Sequence, residues 1–125
     1  MDTARINNSQ PQDALGPVSE RLSSSGRLSV ARITKQLRSD GDELVFAAAP
    51  ARLGTTARRI VVRFVDSAVR PAPRLDASTG VIEIYYPQRD HVEAQALLNS
   101  RKQRFCYFWE SMHGHEAHAW ILSAP

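Results

Sequence analysis

The sequence has little of several things, and each shortage excludes a class. Among its 125 residues there is one cysteine, Cys106, so neither an intramolecular disulfide nor a multi-cysteine zinc site can form within the chain. No apolar run approaches the ~20 residues of a membrane-spanning helix. The N-terminal residues lack the apolar stretch of a secretory signal peptide, so a cytoplasmic location is expected. There is no Gly-rich phosphate loop, no Gly-x-Ser-x-Gly elbow and no zincin motif, which leaves enzyme chemistry without a recognisable catalytic set.

Lysine is scarce as well. Of 16 basic residues only Lys35 and Lys102 are lysines, and 14 are arginines, against 13 acids and a net charge of +3. The skew has two readings. Arginine presents a planar fork that grips phosphates and carboxylates in pairs, whereas a GC-rich, bacterial-like genome would supply both arginine and alanine with no binding role at all. The total is far from that of a dedicated nucleic-acid binder, so distribution must decide. Residues 27–38 carry +4, 52–74 carry +5 and 99–105 carry +3, and acidic stretches separate these blocks.

Residues 1–26 are rich in Asn, Ser, Gln, Pro and Gly with scattered aliphatics, a composition that does not repay the entropy of ordering, and are expected to form a flexible N-terminal arm. A single α+β domain is expected over 27–125. Its first element is a helix from Leu28 to Leu37, capped by Ser29, with Val30, Ile33 and Leu37 on one face. Strands follow at Glu43–Ala49, ending at Pro50 and so read as a first or edge strand, and at Arg58–Asp66 and Gly80–Tyr86. Pairing of the last two gives an inner face of Ile60, Val62, Phe64, Ile82, Ile84 and Tyr86, with Arg63 able to meet Glu83 outside. The Pro- and Arg-containing stretch 67–79 reads as a solvent loop. Asp90 and Glu93 open a second helix running to about Lys102. Strands Arg104–Ser111 and Glu116–Ser123 then form a C-terminal hairpin holding five of the nine aromatic residues.

The expected fold is therefore an α+β domain, a small antiparallel sheet of about five strands with two helices in the order α-β-β-β-α-β-β. At the level of element order this resembles small type III secretion chaperones, which dimerise and bind extended segments. Those chaperones are acidic and end in another helix, and this chain departs from them on both counts.

Potential chemistry concentrates in one place. Cys106, Glu110, His113, His115, Glu116 and His118 lie in the hairpin, but strand parity divides them between faces. A metal held by His113, His115 and Glu110, or a Cys106 nucleophile with a histidine base, has no supporting motif. No cofactor is expected.

Two non-enzymatic functions remain. The first is a protein-interaction or oligomerisation module, with Tyr107, Trp109, Trp120 and Tyr85 as the contact surface, because Trp and Tyr are favoured at hot spots. A protein partner or self-association is its corollary. The alternative is a nucleic-acid binder using an Arg/aromatic sheet face built from Arg58, Arg59, Arg63, Arg101 and Arg104. A helix-turn-helix over Val18–Leu37 would be a further route to nucleic acid, although its first helix would be very short.

Overall fold

The computed structural model of the chain describes residues 26–124 together with the backbone of residues 4–8. The remainder of the expected arm lies outside the described residues. The strands are β1 (Ala4–Asn8), β2 (Gly26–Asp40), β3 (Glu43–Pro50), β4 (Arg59–Val65), β5 (Arg74–Asp76), β6 (Val81–Pro87), β7 (Arg104–Ser111) and β8 (Ala117–Ser123). One short helix, α1 (His91–Leu98), follows a 3-10 turn at Gln88–Asp90. The strands form one sheet in the order β1-β8-β7-β2-β3-β4-β6-β5. β4 and β6 run parallel, and the other pairs are antiparallel. The sheet is nearly barrel-shaped, and its curl brings β1 beside β6.

This corrects the expected five-stranded antiparallel α+β domain: the sheet is larger and mixed, and only one α-helix is present among the described residues. The residues read as a first helix, Leu28–Leu37, belong to β2, a strand of 15 residues. In β2 the side chains of Ala31 and Ile33 enter the core, and Val30 is buried outside it. The register against β3 shifts between Ile33 and Lys35 and again between Gln36 and Arg38. Each bulge inserts one residue and reverses the phase of alternation. Val30 and Ile33 point to opposite faces and Leu37 is the exposed residue of the second bulge, so their spacings of three and four imitate a helical stripe without sharing a face. The β-branched Val30, Ile33 and Thr34 favour the strand. The helix-turn-helix reading fails with that helix, and so does the resemblance in element order to secretion chaperones.

Three further differences concern boundaries. β3 is interior, between β2 and β4, because Pro50 ends the strand without interrupting its ladder. Within 67–79, Arg74–Asp76 pairs with β6 as β5. The tight return is made by Gly80 at φ +74, whose N–H donates to the Asp76 carbonyl at 2.8 Å. A Cβ there would lie 2.8 Å from the Thr56 carbonyl oxygen. The helix ends at Leu98, so Arg101 and Lys102 follow it instead of lying within it.

The core lies inside the curl. Ile60, Val62, Phe64, Ile82, Ile84 and Tyr86 form the inner face expected of β4 and β6. Phe46, Cys106, Phe108, Ala119 and Ile121 join them from the other strands, and Ala94, Leu97 and Leu98 of α1 pack on the same cluster. Burying side chains such as Phe46 or Ile121 is worth about 1.5–3 kcal/mol each. The interior is thus filled by side chains, and the polar chemistry is displaced to the outer face.

Candidate nucleic-acid interface

Alternation fixes what the outer face carries. With Ile60, Val62 and Phe64 inside, Arg59, Val61 and Arg63 of β4 point outward. Val81, Glu83 and Tyr85 do the same on β6. These residues divide into zones of different chemistry.

Over β3, β4, β6 and β5 the charges neutralise one another. Arg63 Nη1 lies 2.8 Å from Glu83 Oε2, and Arg63 Nε lies 3.0 Å from Glu43 Oε2. Arg38 also reaches Glu43, Arg74 Nε reaches Glu83 at 3.0 Å, and the Tyr85 hydroxyl donates to Glu83 at 3.1 Å. The Arg63 hydrogen bond holds the Glu83 carboxyl below its ordinary range, and Arg38 does the same, with Arg63, for Glu43. The stems of these long side chains lie over the row in which Val45 and Val61 are buried. The cross-strand pair expected between Arg63 and Glu83 is present, and it removes Arg63 and Tyr85 from any free Arg/aromatic surface.

Over β7 and β8 the outer face is aromatic. Tyr107 stands opposite Trp120 with ring centroids 5.7 Å apart, and Trp109 opposite His118 at 5.5 Å. Trp109 is 2% exposed and Trp120 9%. Of the four residues expected to contact a partner, these two are buried, and Tyr107 and Tyr85 are half-buried.

Between these zones lies a cationic one. Lys35 of β2 is opposite Ala47 of β3, which is opposite Arg59 of β4; Arg32 is opposite Ala49. Ala48 packs on the core, so Ala47 and Ala49 face outward and form a low floor beneath three long cationic side chains. All three cations are exposed. Among the described residues none of them has an acidic partner, because the row continues from Arg59 to Val81. The next residue in that row, Asp76, is held by Ser78. On the β7 side, Arg32 is opposite Phe105 and Val30 opposite Tyr107, so half-buried rings border the cations.

The other expected nucleic-acid residues do not converge here. Arg58 donates to the Ala57 carbonyl at 3.3 Å. Arg101 is exposed beyond α1. Arg104 is opposite Ile33, on the inner-face parity; its Nε is buried without a partner, and desolvation lowers its pKa. Of the five, only Arg59 stands on the cationic zone, and Arg32 and Lys35, assigned above to a helix, complete it. The sequence signal for them was that 27–38 and 52–74 are the two most basic blocks of the chain; pairing of β2 and β4 with β3 brings them together.

The hairpin cluster does not assemble. Burial pushes the Cys106 thiol up to about 12, which makes it a poor nucleophile. The His113 and His115 rings are 6.0 Å apart, and among the described residues no group of three donors could hold a metal. Nor is any described helix long and apolar enough to cross a membrane. Comparison with known protein families, curated proteins and solved structures gave no match.

Proposed function

We propose that the chain is a non-enzymatic binder of single-stranded nucleic acid that uses the outer face of β2, β3 and β4. The observation that carries this reading is the group of three unpaired, exposed cations, Arg32, Lys35 and Arg59, around the alanine floor. Among the described residues the neighbouring cations Arg38, Arg63 and Arg74 are held in ion pairs and these three are not, and phosphate is an anion that guanidinium forks match in pairs. Phe105 and Tyr107 beside them offer rings to unstacked bases, a recognition mode that tolerates any sequence. A duplex is disfavoured because, among the described residues, no helix or ribbon stands out from this curved face to enter a major groove. The protein-interaction reading has less to use, since Trp109 and Trp120 are buried within the chain.

The test is fluorescence anisotropy with oligothymidylate and oligouridylate across a salt series. Neutralising three phosphates predicts a log–log salt slope of about −2, so affinity drops about 20-fold between about 50 and 200 mM salt. An Arg32→Ala, Lys35→Ala, Arg59→Ala triple variant with unchanged melting temperature should lose binding and most of that slope. Absence of binding by the native chain at low salt, or full binding by the triple variant, overturns the proposal. Binding to glutamate-rich peptides in place of nucleic acid would return the function to protein recognition.

A further inference from the structure

Past Pro50 the chain makes a short turn that is fastened at both ends to a single residue of β2. The Ala51 N–H donates to the Val30 carbonyl at 2.8 Å, and the Val30 N–H donates to Thr55 Oγ1 at 3.1 Å. Within the turn the Thr55 N–H donates to the Arg52 carbonyl at 3.1 Å. Arg52, Leu53 and Gly54 are thereby presented on a braced loop. Leu53 at its tip is 99% exposed, so it contributes nothing to the core and is not explained by folding.

This turn forms one wall of an open cleft of about 530 Å³ at the start of β2. Arg27, Leu28 and Met112 line the rest, and Met112 is also largely exposed. Gly26 forms part of it because its backbone lies against the Trp109 indole, where a Cβ would come within 2.3 Å of the ring. The cleft therefore combines an apolar wall of Leu28, Leu53 and Met112 with two guanidinium groups, Arg27 and Arg52. Neither guanidinium has an acidic partner among the described residues. Glu110 is opposite Arg27 in register without forming a salt bridge, and the two share the lining of an adjoining cleft with Met112, so a phosphate would be placed on the Arg52 side of Arg27.

We infer that this cleft takes the phosphorylated end of a nucleic-acid strand, with the terminal phosphate between Arg27 and Arg52 and the adjoining base against Leu53 and Met112. The inference rests on the single-strand reading above and adds a site at one end of it. A terminal phosphate carries nearly two charges where an internal diester carries one, so a pair of unneutralised guanidinium groups distinguishes the two. An apolar wall beside the pair suits a flat base, and inorganic phosphate alone would leave it unused. Arg27 has the inward parity of β2, with Ala31 and Ile33, and Arg32 points outward, so the cleft lies at the end of the sheet; Arg27 to Lys35 spans about 26 Å of strand, and a nucleic-acid strand engaging both would pass over that end.

Three oligothymidylates that differ only at their ends, with a 5′-phosphate, a 3′-phosphate or hydroxyls at both, decide the matter in a binding assay with the full chain. One phosphorylated strand should bind about 10-fold more tightly than the hydroxyl-ended strand, as expected for one or two added charge-assisted hydrogen bonds. An Arg27→Ala, Arg52→Ala double variant should bind all three alike, and Leu53→Asp should erase most of the preference without altering the melting temperature. Equal binding of the three strands by the native chain overturns the terminal site and leaves the single-strand reading standing. Binding of none overturns both. If poly-glutamate displaces the preferred strand as well as free thymidine monophosphate does, the cleft reads charge alone and the assignment fails.

Discussion

Arg63 and Glu83 meet across the parallel β4–β6 pair, with Nη1 2.8 Å from Oε2, and Glu83 also accepts from Arg74 and Tyr85. Hydrogen bonding to Arg63 depresses the Glu83 pKa below its ordinary value of 4.5, and Glu43 is depressed likewise by Arg38 and Arg63. A carboxylate with a lowered folded-state pKa contributes stability above its unfolded pKa, and loses that contribution as pH falls through the folded value. Melting temperature should therefore be flat from neutral pH to about 5 and drop below about 4. Arg63 is 37% exposed, so solvent screening limits the effect, and Glu83→Gln should cost roughly 1 kcal/mol at neutral pH. The variant should also show a shallower acid limb. An identical acid limb in variant and native chains would remove this pair from the account.

The legible parts of the sequence were those with one undisturbed period. β4 and β6 alternate without interruption, and both their inner face and the Arg63–Glu83 pair follow from that alternation. The hairpin of β7 and β8 was equally readable from its aromatic strands and Gly114. Parallel pairing of β4 and β6 was not, because alternation is the same in either direction and the reversal depends on β5, only three residues long. β2 imitates a helix because Val30 and Ile33 are buried on opposite faces and bulges at Thr34 and Leu37 break the alternation on either side of Lys35. The misassigned strand thus contains two of the three cations of the candidate face. Arg27 and Arg52 could be counted as charges in the sequence, but their convergence depends on the turn that Val30 holds.

Gly26 touches the Trp109 ring so closely that the ring must move if any side chain is added. The Cβ of an alanine would lie 2.3 Å from three indole atoms, and Trp109 is buried and stacked on His118. A rigid ring sandwiched in this way has nowhere inexpensive to go. Gly26→Ala should destabilise the fold by about 1–3 kcal/mol, as overpacking does. Near-ultraviolet circular dichroism should report the displaced indole. Gly54→Ala is the control for space: a Cβ there meets nothing within 4 Å, so only the strain of φ +88 remains. A Gly26→Ala variant with native stability and an unchanged tryptophan spectrum would contradict this packing.

Leu53 and Ile121 are both large aliphatic residues, and their places in the fold predict opposite outcomes. Ile121 is fully buried in the core cluster, and its strand, β8, is held between β7 and β1. Ile121→Ala removes packed methyl groups and leaves a cavity that the surrounding strands cannot close, at a cost of about 2–5 kcal/mol. Leu53 stands in solvent at the tip of its turn, so Leu53→Ala should change stability by less than about 0.5 kcal/mol. Urea denaturation of the two variants measures both values with one method. A stable Ile121→Ala variant would place β8 outside the core. A destabilised Leu53→Ala variant would show that Leu53 is packed within the fold, and the apolar wall of the cleft would then belong to folding instead of to binding.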